Sequence, residues 1–359
     1  MKSINNEFPI LSTYTYLNTP FTGILPKSVS SQIYQLEEEF RLNGSVFTDK
    51  YEKGLIEDTR FLISKIFNTE LEAVGMLNNF STGLNLILND LPEGSKVVLL
   101  TQDYPSVNLP VKSRPFEVHE VNIDLNLYEN LNQTFSKVNP DYFLFSLSQF
   151  ISGLKLDLDE LKRLKEEFPS VSFIADATQF CGTEAFDFKN SPFDVFGTSG
   201  YKWMNAGLGN AFFLFKRDFL EKHQFKTIGS NSLDEKPDGT LRPTGFLEPG
   251  HFDIIAIARL KYALEFHYNT LGIDFVESKI KAISQLAKSK FLNLGLLDTS
   301  VIDEDSSQNI FSLSGNENDV EKLKNEGILC AYRGGRIRVG FQYFNTENDL
   351  DRLLKALSK

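Results

Sequence analysis

Side chains suited to acid–base and covalent chemistry lie together in residues 171–209. Asp176 directly follows the apolar run 171–175, which has the length and composition of a buried strand. A second strand-like run, 193–196, is followed by hydroxyl groups and one lysine: Thr198, Ser199, Tyr201 and Lys202. Ligands of open α/β sheets bind beyond the carboxyl ends of the strands. We therefore expect Asp176 and Lys202 to face one site.

A lysine and an aspartate in this arrangement match the requirements of pyridoxal phosphate (PLP). The amine of Lys202 can form a Schiff base with the PLP aldehyde, and Asp176 can keep the pyridine nitrogen protonated. The protonated ring then stabilises a substrate carbanion. Asp176 and Lys202 are therefore the predicted catalytic residues, and Lys202, once displaced by the substrate amine, would be the general base at Cα.

The rest of the sequence predicts the elements that would carry this site. Apolar runs predict further strands at 73–77, 96–101 and 142–147. Apolar residues at helical spacing predict helices at 28–40, 49–67, 84–91, 158–168 and 254–267. Strands alternating with helices indicate an α/β fold.

These motifs resemble the class V, or cysteine-desulfurase-like, group of fold-type I PLP enzymes. The matching residues are Asp176-Ala-Thr-Gln179, Ser199-Gly-Tyr201-Lys202-Trp203 and Asn205-Ala-Gly-Leu-Gly209. The resemblance runs from about Tyr16 to Leu354. It implies a large domain with a mainly parallel seven-stranded sheet between helices, and a smaller C-terminal α/β domain. We expect the large PLP-binding domain to span 16–250, the small domain to comprise 1–15 and 251–359, and the protein to be a homodimer.

The resemblance also implies which residues contact PLP. A turn between a strand and a helix, as at 78–83, is a natural anion site, so Ser81, Thr82 and Gly83 are candidates for the phosphate. The remaining predicted contacts are Tyr104, stacked on the ring, Gln149 near the cofactor hydroxyl and the substrate carboxylate, Gln179 at the phenolic oxygen, and Ser199 and Tyr201 at the phosphate.

The resemblance implies substrate contacts from segments near both termini of the chain. The run Arg336-Ile-Arg338-Val, followed by Asn345-Thr346, is similar to a family signature whose arginine binds the substrate α-carboxylate. That arginine corresponds to Arg338, whose planar guanidinium matches a carboxylate. Gln149 and Asn18 are further candidates for substrate binding. The segment Arg242–His251 resembles a family loop that reaches the phosphate of the neighbouring subunit, with His251 where threonine is usual.

The reaction is less well specified than the cofactor. Our first expectation is a class V aminotransferase acting on a small amino acid. The alternatives are a kynureninase-like hydrolase, an epimerase, a Cβ-lyase or a non-catalytic scaffold of the same fold. A nucleotide-binding oxidoreductase would need a Gly-x-Gly-x-x-Gly turn, which the sequence lacks. Desulfuration is not expected, because no cysteine-bearing loop separates Arg333 from Arg338.

Composition limits the partners. The 359 residues carry a formal charge of −11, which disfavours nucleic acid and anionic membranes. Two cysteines, Cys181 and Cys330, and four histidines show no metal-ligand spacing. No signal peptide or run of about 18 apolar residues is evident. We therefore expect a cytoplasmic protein that binds a small amino acid and has no metal, membrane or nucleic-acid partner.

Overall fold

The fold was analysed in a computed structural model, which describes residues 4–232, 243–302 and 308–358. Arg242, at the start of the predicted interface segment, lies outside these ranges. Within them, no helix has both the length and the apolar character needed to cross a bilayer.

The strands form one large sheet and two small ones. Their bounds are β1 Thr15–Tyr16, β2 Val74–Leu77, β3 Lys96–Leu100, β4 Glu117–Val121, β5 Tyr142–Ser146, β6 Ser172–Asp176, β7 Val195–Ser199, β8 Ala211–Phe215, β9 Ile310–Leu313, β10 Ile328–Leu329, β11 Ala331–Arg333 and β12 Arg336–Gly340. The seven-stranded sheet has the order β2-β8-β7-β6-β5-β3-β4. Strand β8 is antiparallel to both of its neighbours, and the other pairs are parallel. This confirms the predicted α/β fold with a mainly parallel seven-stranded sheet.

Helices connect the strands. Their bounds are α1 Lys27–Asn43, α2 Ser45–Ile66, α3 Phe80–Leu88, α4 Pro105–Lys112, α5 Leu127–Val138, α6 Leu158–Glu167, α7 Arg217–Lys222, α8 Pro243–Leu247, α9 Ile254–Leu264, α10 Ile273–Asn293, α11 Glu317–Asn325 and α12 Glu347–Leu357. A π-helical stretch, Glu265–Gly272, joins α9 to α10. The predicted helix at 254–267 therefore changes its hydrogen-bond pattern within its last turn.

The middle positions of β5 and β6 are apolar because both faces of the sheet are covered. In β5, Phe143 and Phe145 belong to one buried cluster, whereas Tyr142 and Leu144 belong to the cluster on the opposite face. Successive side chains of a strand point to opposite faces, so a strand buried on both sides needs apolar residues at every position. This burial holds the strand ends in fixed positions, where the polar residues begin.

The small sheets lie near the carboxyl end of the chain. Strands β11, β12 and β9 form an antiparallel three-stranded sheet with its own apolar cluster. Strand β1 pairs with β10, so the N-terminal segment is bound to the C-terminal part of the chain. The chain then continues from β1 towards the end of β7, where the N–H of Gly23 donates to the carbonyl of Tyr201 at 2.7 Å. The predicted domain boundaries remain a prediction.

Candidate active site

The polar residues of the site follow the carboxyl ends of neighbouring parallel strands. Asp176 is the last residue of β6 and pairs in register with Ser146 of β5 and Gly197 of β7. Lys202 lies three residues beyond the end of β7, which is Ser199. Both Asp176 and Lys202 are only 5% exposed. The sheet thus brings the two predicted catalytic residues into one buried region.

The Lys202 amine lies between two tyrosine rings. Its Nζ is 5.4 Å from the ring centre of Tyr104 and 5.5 Å from that of Tyr201. Burial lowers the pKa of Lys202 to about 8, although the nearby Asp176 carboxylate opposes the shift. An amine with such a pKa is neutral in a substantial fraction of molecules near neutral pH, as a nucleophile or base requires.

The Asp176 carboxylate is buried but not isolated. Its Oδ1 accepts the N–H of Thr178 at 2.9 Å. Burial raises the pKa of Asp176 to about 6, while Thr178 and the charge of Lys202 hold it down. A partly desolvated carboxylate is a strong hydrogen-bond acceptor for a protonated ring nitrogen.

The predicted phosphate residues lie in the first turn of α3, which begins earlier than expected. The helix starts at Phe80, and its cap is Asn79, whose Oδ1 accepts the N–H of Thr82 at 2.8 Å. The predicted helix at 84–91 is therefore present, but it begins four residues earlier than predicted and ends at Leu88. Gly83 lies inside α3 at a close contact with a neighbouring strand, since an added Cβ would be 2.3 Å from the ring of Phe213.

The hydroxyl groups at this helix end have different surroundings. Ser199 Oγ accepts the N–H of Phe80 at 3.0 Å, so the end of β7 meets the start of α3. Ser81 Oγ bonds to Ser106 Oγ at 2.8 Å. The first N–H groups of a helix have no partner within it and attract anions. Ser81, Thr82, Gly83 and Ser199 thus share one helix end, as their predicted common ligand requires.

Tyr104 sits on the turn that follows β3. Its ring packs edge-on against Phe150, with centres 5.2 Å apart. Its backbone N–H donates to Oδ1 of Asp103 at 2.6 Å, and Oδ2 of Asp103 accepts the N–H of Ser146 at 2.7 Å. The Tyr104 ring, which faces Lys202, is therefore held by Phe150 at the side chain and by Asp103 at the backbone.

The two predicted glutamines are buried near the site. Gln149 Nε2 donates to the carbonyl of Ser146 at 3.3 Å. Gln179 Nε2 donates to the carbonyl of Pro20 at 2.9 Å, and its Oε1 accepts the indole N–H of Trp203 at 2.8 Å. Gln179 therefore connects the N-terminal segment to the lysine-bearing turn, and its predicted contact with the phenolic oxygen would have to use its second amide hydrogen.

Arg338 is a buried cation without an anionic partner among the described residues. It is 3% exposed, and its Nη1 donates to the carbonyl of Phe150 at 2.7 Å, while its Nε has no partner in the described chain. Burial and the charge of Arg333 lower the pKa of Arg338 to about 10. Since an unpaired buried charge is costly, a guanidinium in this state is suited to bind an anionic ligand.

Asn18 begins the segment that packs against the site. Its Oδ1 and the neighbouring hydroxyl of Thr19 are buried without hydrogen-bond partners in the described part of the chain. The segment closely approaches the lysine, because a Cβ added to Gly23 would lie 1.9 Å from the carbonyl oxygen of Lys202. Asn18 thus has a polar atom free for a ligand.

His251 and the two cysteines are held by other contacts. His251 is exposed and faces Glu52. Cys181 is buried with its Sγ 3.6 Å from Sδ of Met204, and Cys330 lies between β10 and β11, packed on the apolar cluster of the small sheet. Burial raises the pKa of the Cys330 thiol to about 12.

Sequence reasoning missed two residues that organise the site. Asp103 is an acid at the end of a predicted strand, which is the same signal that identified Asp176. Gln342 was not identified, because its contacts span 139 positions of sequence: its Nε2 donates to the carbonyl of Trp203 at 3.1 Å. No local pattern indicates such a contact.

The residues present fit PLP. A buried lysine with a lowered pKa, an aspartate at a neighbouring strand end, an aromatic ring beside the amine and a helix start are located together. Arg338 and Tyr104 both contact Phe150, Arg338 through the backbone carbonyl and Tyr104 through the ring.

Comparison with known proteins supports this interpretation. A sequence model of the family described as aminotransferase class-V matches residues 15–353. A probable cysteine desulfurase of Ureaplasma parvum is 24% identical over 96% of this chain and 93% of its own length. A probable cysteine desulfurase of Borreliella burgdorferi is 22% identical, covering 100% of this chain and 96% of its own.

Solved structures share the fold. A C-DES mutant with glycine covalently linked to its PLP cofactor matches with a TM-score of 0.88 and 18% identity, covering 99% of both chains. The cystine C–S lyase C-DES in complex with its product, cysteine persulfide, matches with a TM-score of 0.85 and 19% identity, covering 98% of this chain and 99% of the other. At these identities, the likeness establishes the fold.

Proposed function

The chain belongs to the aminotransferase class V family, and we propose that it is a lyase that breaks the Cβ–sulfur bond of a small amino acid. The cofactor is PLP, which withdraws electrons from the substrate Cα when bound. The observation that carries the proposal is that Lys202 and the unpaired Arg338 are buried as a substrate site would require, while neither cysteine presents a reactive thiol: Cys181 is buried against Met204, and Cys330 packs on the apolar cluster of the small sheet.

Each residue has a separate role in the proposed reaction. The unpaired guanidinium of Arg338 binds the substrate carboxylate, and the Asn18 amide contributes a further polar contact. Lys202 takes the proton from Cα, since its amine is partly neutral near neutral pH. With PLP bound, Asp176 would hold the ring-nitrogen proton, Tyr104 would pack on the ring, and the first turn of α3 with Ser199 and Tyr201 would bind the phosphate.

The proposed cleavage of the Cβ–S bond needs no external oxidant. Lys202 removes the Cα proton, and the Cβ–S bond breaks with its electron pair leaving on sulfur. The sulfur fragment departs as a thiolate or, from a disulfide amino acid, as a persulfide. The remaining three-carbon fragment is hydrolysed to pyruvate and ammonium.

Sulfur transfer to an enzyme thiol is less well supported. Such a transfer needs a thiolate near the substrate, and the thiolate is the nucleophilic form of cysteine. The pKa of Cys330 is raised to about 12, so its thiolate fraction at neutral pH is about one in 100,000. The relatives named cysteine desulfurases therefore support a sulfur-containing substrate for this chain more directly than an enzyme persulfide.

The test is a product assay on the PLP-loaded protein. L-cystine and L-cysteine are supplied with and without 2-oxoglutarate, and pyruvate, sulfide and persulfide are measured. We expect pyruvate without an oxo-acid acceptor, loss of product in Lys202→Ala, and an unchanged rate in Cys330→Ser. Formation of glutamate from 2-oxoglutarate, with an oxo acid that keeps its sulfur and without pyruvate or sulfide, would instead establish the aminotransferase that the sequence first indicated. Loss of activity in Cys330→Ser would establish an enzyme persulfide.

A further inference from the structure

A second buried carboxylate, Asp103, lies next to the site. It follows β3 on the turn that leads into α4, and it is 5% exposed. The residue before it, Gln102, has a φ of 56°, in the left-handed region that non-glycine residues rarely adopt. Backbone strain of this kind persists only where surrounding contacts enforce it. Here the contacts are those of the Asp103 side chain.

The carboxylate of Asp103 joins three parts of the site. Oδ1 accepts the N–H of Tyr104 at 2.6 Å and Oδ2 accepts the N–H of Ser146 at 2.7 Å. The side chains of Ser146 and Gln149 also hydrogen-bond to it. Burial raises the pKa of Asp103, and these four donors oppose the shift because each of them can donate to the ionised carboxylate. No described lysine or arginine forms an ion pair with Asp103.

Asp103 and Asp176 lie on opposite sides of strand β5. Strand β5 is paired with β3 on one side and with β6 on the other, and Ser146 is in register with Asp176. Two strand spacings are about 10 Å. The charged and titratable groups that face Asp176 are Lys202, Asp103 and Tyr201. Asp103 is therefore the neighbouring charge of the same sign as Asp176.

We propose that Asp103 is a positioning residue that holds Tyr104 and Gln149 in place and whose negative charge strengthens the hold of Asp176 on the ring-nitrogen proton of PLP. The electrostatic effect of Asp103 on Asp176 requires no cofactor, whereas its consequence for the ring nitrogen of PLP rests on the proposed function. Removing the charge at Asp103 should weaken Asp176 as a base. Removing the acceptor should release the backbone of Tyr104.

The test compares Asp103→Asn with Asp194→Asn. Asp194 also accepts a backbone N–H, that of Phe173 at 2.7 Å, but it does so beyond the opposite ends of the strands and pairs with Lys165. Both variants lose a carboxylate that accepts a backbone N–H of the sheet. Only the first lies next to the site, so a merely structural effect would be similar in both.

The first measurement is the carboxyl titration of Asp176 by ¹³C NMR in the cofactor-free protein, with its signal assigned through Asp176→Asn. We expect its midpoint to fall by about one pH unit in Asp103→Asn, the size of one charge removed at this separation, and to stay unchanged in Asp194→Asn. An unchanged midpoint in Asp103→Asn, or an equal fall in both variants, would overturn the charge role. This result does not depend on whether the chain is a lyase.

The second measurement is PLP affinity, followed with the visible absorbance of the bound cofactor. We expect Asp103→Asn to bind PLP about 10-fold or more weakly, because the aromatic ring beside it is released, whereas Asp194→Asn should bind normally. Wild-type affinity in Asp103→Asn would overturn the positioning role. If the protein failed to bind PLP at all, the proposed function would fail while the titration would still decide the charge role.

A reciprocal experiment covers the case in which Asp103→Asn does not fold. Coupling between two titrating groups is symmetric, so Asp176→Asn should lower the titration midpoint of Asp103 by the same amount. The signal of Asp103 is then observed in a protein whose turn after β3 is intact. A midpoint of Asp103 that does not respond to Asp176→Asn would refute the coupling.

Discussion

Replacing Arg338 by methionine should stabilise the cofactor-free protein while removing its activity. The guanidinium is 3% exposed and has no carboxylate partner among the described residues. Methionine can fill much of the same space without a charge. A site that needs an unpaired cation for its substrate is therefore expected to lower the stability of the empty protein.

The magnitude follows from the pKa of Arg338. Burial lowers it to about 10 in the folded chain, from above 12 when unfolded. The folded state thus binds this proton less tightly than the unfolded state. The penalty is present in full at pH values below 10 and disappears as the pH rises above the unfolded pKa, so it applies at neutral pH. A difference of this size is about 3 kcal/mol.

The methionine variant also loses a hydrogen bond. Nη1 of Arg338 donates to the carbonyl of Phe150, and such a bond contributes about 1 kcal/mol. The expected net gain in the free energy of unfolding is therefore about 2 kcal/mol, measured by urea denaturation without PLP. In the loaded enzyme, kcat/KM should fall by about 100- to 1,000-fold, because a charge-assisted contact with the substrate carboxylate is lost.

Arg60 is the matched control. It is also buried, but it pairs with Glu248 through two contacts of 2.6 Å. Arg60→Met leaves that carboxylate buried and unpaired, so it should cost about 3–5 kcal/mol of stability. If Arg338→Met were destabilised like Arg60→Met, the guanidinium would be a structural group. If Arg338→Met kept its KM, the substrate carboxylate would bind elsewhere.

Three further predictions test the surroundings of Lys202. Because burial lowers the pKa of Lys202 to about 8 and the neutral amine is the nucleophile, the rate of PLP attachment should rise about tenfold per pH unit below 8 and level off above it; a flat stopped-flow profile between pH 6 and 9 would contradict this. Gly23→Ala should weaken PLP binding, since its Cβ would lie 1.9 Å from the Lys202 carbonyl oxygen. In contrast, Gly54→Ala has no atom within 4 Å of its Cβ, so it should stabilise α2 by about 1 kcal/mol in thermal denaturation. Tyr104→Ala should lower PLP affinity about tenfold in an absorbance titration and Tyr104→Phe much less, because the ring face makes the contact; equal losses would assign the effect to the hydroxyl.

Sequence patterns were informative where burial is continuous. The strands at the middle of the sheet, such as β5 and β6, differ from their predictions by one residue, because a strand covered on both faces must be apolar at each position. The same patterns placed Asp176 and Lys202 after adjacent strands. Register between strands then brings them together, and this step follows from the parallel sheet.

Sequence patterns failed where packing overrides local preference. Gly83 disfavours a helix locally, yet it lies inside α3, where the ring of Phe213 leaves no room for a side chain. The amide of Gln179, whose contact with PLP stays a prediction, joins Pro20 to Trp203, and these two residues are 183 positions apart in the sequence. Such long-range contacts depend on the tertiary fold, and no single segment encodes them.

The hairpin of β11 and β12 links substrate binding to the choice of reaction. Arg333 pairs with Arg336, and Gly334 and Gly335, with φ of 59° and 76°, form the two-residue turn between them. A Cβ on Gly334 would lie 2.7 Å from Ile151, so the turn is packed against the loop that follows β5. Strand β12 also contains Arg338, whose Nη1 donates a hydrogen bond to the carbonyl of Phe150 in that same loop. A cysteine-bearing insertion at this turn would have to displace the contact with Ile151, and with it the loop that orients Arg338. The short turn that fixes the proposed carboxylate site therefore also leaves no place for a sulfur-accepting loop, which favours direct departure of the sulfur fragment.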